Sequence, residues 1–220
     1  MPKNRSRAAR SSRSAPTGFR RTREPVYVCA EGATEEAYVR ALLDHRYPGL
    51  FAPQFPGGGG RHPRRKTSLV NLLKAARDAE KTMTGVKSCI WVLCDADQND
   101  VHQDTLERWV SENPDRHRAA IQSVSIEAWF LQHLDTPCRP PTNEDALRAL
   151  NKQWKGYSKG NDIQGWLIAG TDRAVQRERA YLLGHGEDGL WPVARSSQMP
   201  RFIAYLDERA SLLGWQGSGA

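Results

Sequence analysis

A chain of 220 residues with 39% hydrophobic content has enough apolar material for one sizeable domain, or one domain with an appendage. No run approaches the roughly eighteen apolar residues of a membrane span, and the basic N-terminus lacks the apolar stretch of a secretory signal, which argues against membrane insertion and export. The net charge of +7 is local: Lys3, Arg5, Arg7, Arg10, Arg13, Arg20, Arg21 and Arg23 stand against Glu24 alone, and the rest of the chain is neutral.

Residues 1–24 are rich in Ser, Ala and Pro as well as Arg, the composition of a disordered basic tail. Such an arm either contacts nucleic acid or simply solubilises the protein. Cys29, Cys89, Cys94 and Cys138 contain no Cys-x-x-Cys pair. They read as buried thiols of a cytosolic protein, not as disulfides or a zinc site.

Pro25–Ala30 reads as a first strand, ending at Glu31-Gly-Ala-Thr-Glu-Glu36. Gly32 permits a tight turn, and Thr34 is the expected N-cap of a helix running to about His45. Glu35 and Glu36 then fall in the first turn, where the helix dipole favours acids. Glu31 has no such explanation, because it terminates a strand where a parallel sheet binds ligands. A short strand is expected over 51–55. Four glycines, Gly57 to Gly60, lead into Arg61, His62, Arg64, Arg65 and Lys66, which serve either as a phosphate grip or as a surface loop. It is not a P-loop, since no Gly-Lys-Ser/Thr follows.

Thr67 or Ser68 starts a helix with Leu69, Leu72, Leu73, Ala76 and Ala79 on one face. Next comes Ser88-Cys-Ile-Trp-Val-Leu-Cys-Asp95-Ala-Asp97, an apolar run closed by two carboxylates. The run reads as a strand buried on both faces. Strand side chains alternate, so Asp95 and Asp97 point the same way and repel unless a cation or proton lies between them. The hard cations suited to such oxygen donors are Mg²⁺ and Mn²⁺. The bland alternative is a polar loop leaving the strand. A helix over 100–111 and a strand over 119–124 follow, and the alternation argues for a parallel α/β sheet.

Ser125 is placed to cap a helix containing Ile126, Trp129, Phe130 and Leu134. Glu127 shares an apolar stripe with Leu131 and Leu134, where a carboxylate is costly unless paired or coordinated. After the prolines of 136–141, four helices are expected over 144–154, 164–169, 172–183 and 200–213. Lys155-Gly-Tyr157-Ser-Lys159-Gly160 interrupts the first two and reads either as a phosphate-facing loop or as an ordinary turn.

Glu31-Gly-Ala-Thr-Glu35, Asp95-x-Asp97, Ser125–Glu127–Trp129–His133 and Tyr157–Lys159, in that order, resemble the RloB-like family of bacterial defence proteins. The first two motifs are also similar to the Toprim nucleases of the OLD family. The likeness covers about residues 25 to 213. It departs where Gln122-Ser-Val-Ser-Ile126 stands in place of the family's Asn-Pro-x-Phe, and the basic arm and glycine loop are not family features. The resemblance implies a Toprim-like (Rossmann-like) parallel sheet flanked by helices over 25–135, with a helical C-terminal part over 136–220 packed on it. It also implies an Mg²⁺- or Mn²⁺-dependent endonuclease in anti-phage, abortive-infection defence, associated with an ATPase partner. Glu31, Asp95 and Asp97 would hold the principal ion, and Glu35 and Glu127 a second site or its hydration shell. Lys159 would stabilise developing negative charge, while Arg61, Arg64, Arg65, Lys66, Tyr157 and Lys159 would contact nucleic acid. The alternative is a non-catalytic module of the same fold that senses nucleic acid or a partner. A primase or topoisomerase fits less well, for want of zinc-ribbon cysteines and of length.

Overall fold

The structure is a computed structural model that describes residues 22–57, 68–83, 88–96, 100–160, 162–186 and 189–215. The basic segment 1–21, the cluster Arg61, Arg64, Arg65 and Lys66, and Asp97 lie outside these residues. Four strands, β1 (Glu24–Ala30), β2 (Phe51–Gln54), β3 (Ile90–Asp95) and β4 (His117–Gln122), form one sheet in the order β2-β1-β3-β4, every neighbouring pair parallel. The helices are α1 (Ala33–Arg46), α2 (Leu69–Thr82), α3 (Gln103–Glu112), α4 (Ile126–His133), α5 (Asn143–Gln153), α6 (Gly165–Ala169), α7 (Thr171–His185) and α8 (Met199–Leu212). A 3-10 turn at Asp100–His102 precedes α3.

The period-two alternation of the central strands sorts these helices into two layers. Val26, Val28 and Ala30 of β1 and Trp91 and Leu93 of β3 face one core, shared with α1, α4, α5, α6, α7 and α8. Cys29 of β1 and Ile90, Val92 and Cys94 of β3 face the other, shared with α2 and α3. All six residues of β3 are buried, as expected of a parallel strand covered on both sides. The result is a Rossmann-like α/β layering in which the C-terminal helices join the same core as α1 and α4.

Three local expectations are corrected. Glu24, assigned to the tail, is the first residue of β1, and its carboxylate accepts from Arg209 Nε at 2.7 Å. The fourth strand begins two residues earlier than the apolar pattern suggests, because His117 is accommodated in the core. Its ring stacks on Trp109 at 4.2 Å, with Nδ1 against the Trp109 carbonyl and Nε2 at 2.9 Å from Glu80 Oε1. Cys138 is exposed, whereas Cys29 and Cys94 are buried and Cys89 partly so; all four are free thiols.

Candidate metal centre

The chain leaves β1 toward β2 on one side and returns to β3 on the other. The order of the sheet therefore reverses between β1 and β3, and the carboxyl ends of these two strands open the crevice where open α/β sheets bind ligands. Glu31 and Asp95 stand at those ends. Glu31 continues the ladder by donating its N–H to the Leu93 carbonyl (3.0 Å). Its Oε2 then accepts the Asp95 N–H at 2.9 Å, tying the two strand ends together. Both side chains are buried.

The N-cap of α1 is Gly32, not Thr34. A Cβ on Gly32 would meet Glu35 Oε2 at 2.9 Å, so a larger residue there would push the Glu35 carboxylate out of its place. Glu35 folds back and accepts from its own N–H and from that of Gly32, the reach-back half of a capping box. Thr34 does a different job. Its Oγ1 accepts the Gly160 N–H at 3.0 Å, pinning the loop before α6 to the start of α1.

Glu127 lies in the first turn of α4 and is 1% exposed. Its Oε1 accepts from the Tyr157 hydroxyl at 3.0 Å and lies 3.5 Å from Lys159 Nζ. Its Oε2 is buried with no hydrogen-bond partner among the described residues. Tyr157, expected at a phosphate, is instead turned inward, and burial followed by the Glu127 charge pushes its hydroxyl well above the usual range. Lys159 stays half in water, with its side chain 52% exposed, so it can face both Glu127 and a bound anion. Ser125 occupies the N-cap of α4 without a side-chain capping bond. Its buried hydroxyl has no hydrogen-bond partner among the described residues.

Glu35 lies close enough to Glu127 for the two charges to oppose each other. Burial first, and then Glu127, push the Glu35 carboxyl up to about 6, against the pull of its backbone hydrogen bonds and of Lys159. The acids thus form two pairs, Glu31 with Asp95 and Glu35 with Glu127, joined through the β1–α1 turn that carries both Glu31 and Glu35. The N-termini of α1 and α4 and the Lys159 ammonium supply the positive potential that makes such burial tolerable.

The donor chemistry fits a hard divalent cation: every acid is a carboxylate, two are mutually repelling, and Glu127 Oε2 is buried and unused. Among the described residues no three His, Cys, Asp or Glu side chains already converge into a ligand set, and Asp97 lies outside them. Sequence reasoning singled out the acids and Lys159 as candidates. It missed the structural work of Thr34 and the Tyr157–Glu127 bond, contacts 126 and 30 residues apart along the chain that no local pattern announces.

No helix among the described residues is long and apolar enough to cross a membrane. Comparisons with curated proteins and with solved structures return no match. A family model described as RloB-like protein matches residues 26–206, a span that runs from β1 into α8 and includes every acid of this edge. With the four motifs in order along a Rossmann-like sheet, that match means that the chain belongs to the RloB-like family.

Proposed function

We propose that this chain is a divalent-metal-dependent endonuclease, cleaving phosphodiester bonds of RNA or DNA in anti-phage, abortive-infection defence. The observation that carries the reading is the burial of Glu31 and Asp95 at the carboxyl ends of β1 and β3, with Glu35 and Glu127 buried near each other in the first turns of α1 and α4. Burying a carboxylate is expensive, and four of them are a cost that function explains better than stability.

Glu31, Asp95 and Asp97, with Glu35 and Glu127, would hold Mg²⁺ or Mn²⁺, which when bound supplies charge neutralisation at phosphorus and an activated water. The chain's own groups do the rest. Tyr157 fixes the Glu127 carboxylate. Lys159, held beside that carboxylate with its side chain half exposed, offers a cation to a non-bridging phosphate oxygen. Glu31 is oriented by the Asp95 N–H. Glu35 is oriented by its own N–H and by that of Gly32. Arg61, Arg64, Arg65, Lys66 and the basic N-terminal segment would add backbone-phosphate contacts. The family resemblance suggests an ATPase partner that licenses activity.

A second reading has one observation in its favour: Glu31 and Glu127 already accept hydrogen bonds from the protein, as purely structural acids would. A non-catalytic module that senses nucleic acid or a partner would look the same. Incubating the purified protein with labelled tRNA, single-stranded RNA and plasmid DNA, with and without Mn²⁺, separates the two. The nuclease reading requires Mn²⁺-dependent cleavage of at least one substrate that Asp95→Asn abolishes. Intact substrates throughout, with nucleic acid still bound, favour the sensing module.

A further inference from the structure

A run of aromatic rings leads from the surface to the buried acid of this site. Trp166 is 51% exposed. It meets Trp154 at 5.1 Å with the rings at 73°, and Trp154 meets Tyr157 at 4.9 Å. The Tyr157 hydroxyl then holds Glu127 at 3.0 Å. The exposure of Trp166 is not explained by the packing of α6. That five-residue helix is anchored by Leu167 and Ile168, both buried in the core shared with α1 and α4. The indole of Trp166 therefore adds a large apolar face that the fold leaves half in water. Lys155 and Lys159 lie on the loop between the two tryptophans, and both are exposed. An exposed indole, with exposed lysines on the loop that joins it to Trp154, matches a nucleobase and its phosphates.

We propose that Trp166, backed by Trp154, is a stacking platform for a nucleobase, and that the strand reaching the acidic edge is single-stranded nucleic acid. A base in a duplex is already stacked on its neighbours and hides both faces, so an exposed indole selects bases that are unpaired. Lys155 and Lys159 meet the phosphates on either side of the stacked base. The platform rests on the nucleic-acid reading of the acidic edge but not on turnover there, so it is tested without metal.

Wild type, Trp166→Ala and Trp166→Phe are titrated in chelator against a labelled oligothymidylate, the matching oligouridylate, a strand of equal length carrying abasic sites, and a blunt duplex. The expected result is a loss of about tenfold in single-strand affinity for Trp166→Ala, with partial recovery in Trp166→Phe. Wild type should bind the abasic strand about as weakly as Trp166→Ala binds the normal one. Trp166→Ala should no longer distinguish the two strands, and duplex affinity and the salt slope should not change. Unchanged single-strand binding by Trp166→Ala, an equal loss on the duplex, or no discrimination against the abasic strand by wild type overturns the platform. If Trp166→Ala does not melt cooperatively, the abasic comparison on wild type and the Phe variant decide alone. Failure of Mn²⁺-loaded wild type to cleave, with the stacking signature intact, counts against the nuclease and not against the platform.

Discussion

Glu127 is held by two groups of different kinds, and the difference can be measured. Tyr157 gives it a hydrogen bond that a neutral amide can also accept; Lys159 gives it an attraction that only the charge can use. Glu127→Gln should therefore leave the melting temperature in chelator unchanged or slightly raised, since it removes a buried charge and keeps the bond to Tyr157. Cleavage should fall by about a hundredfold or more, as when a preorganised polar group is lost from a catalytic site. A large drop in melting temperature would mark the carboxylate as structural. His133, four residues beyond Trp129 on the same helix, is a purely internal group. Its Nδ1 faces the Trp129 carbonyl at 3.1 Å and its Nε2 lies 3.3 Å from the Tyr38 hydroxyl. The end of α4 would favour a charged imidazole, but burial, helped by Arg173 and Arg177, outweighs that and pushes His133 down to about 4. The unfolded chain takes up this proton near the ordinary value of 6.5 and the folded chain only near 4. The stabilising contribution is thus fully present above 6.5 and is lost as pH falls toward 4, at about 1.4 kcal/mol per pH unit. Denaturant melts of wild type and His133→Phe over that range should show the variant less stable at neutral pH but with a shallower acid slope by about that amount.

At the scale of elements, the termini of α4 are secured from elsewhere in the chain. Its last carbonyls take guanidinium donors from α7: Arg177 Nη1 reaches the Gln132 carbonyl at 2.7 Å and the Leu134 carbonyl at 2.5 Å, and Arg173 Nη2 reaches the His133 carbonyl. A helix end has no internal partners for these oxygens, so the two arginines replace the missing turn. Arg177→Met keeps the aliphatic stem and removes both bonds. It should cost about 1–3 kcal/mol in denaturant melts, whereas Arg177→Lys, which keeps one charged donor, should cost less. Equal stability of all three proteins would show that water serves these carbonyls as well. The other end of α4 is held through Glu127 and Tyr157, which places the acid at the one point where α4, the loop before α6 and the start of α1 meet.

For the whole molecule, the sheet order decides where charge accumulates. β1 and β3 are the inner strands, and Glu31 and Asp95 are buried at their carboxyl ends, the topological switch point. If the proposed cation is ligated there, it stabilises the folded state by linkage, by about 2.7 kcal/mol at a hundred times its dissociation constant. Wild type should therefore melt progressively higher across a Mn²⁺ series. Asp95→Asn should be at least as stable as wild type in chelator, because the Asp95 bond to Glu31 comes from the backbone N–H and survives the substitution. It should also lose the Mn²⁺ response. A destabilised apo variant that still responds to Mn²⁺ would make Asp95 structural.

Much of this was legible in the residues. The apolar run before Asp95, the amphipathic spacing of Leu69, Leu72 and Leu73, and the alternation of strands with helices specify a parallel α/β sheet, because period and burial are local properties of a sequence. The candidate acids were identifiable for local reasons too: Glu31 and Asp95 end apolar strand runs at the edge where parallel sheets bind ligands, and Glu127 lies on an apolar helical stripe. What needed the tertiary structure was every relation across the chain. Thr34 looked like a helix cap until its hydroxyl was found on Gly160, and Tyr157 looked like a surface residue until it was found on Glu127. The fourth strand was expected only from Ala119, because the groups that accommodate His117, Trp109 and Glu80, come from other elements. A side chain's polarity can be read from one position, but the partner that satisfies it is chosen by chain segments that only the fold brings together.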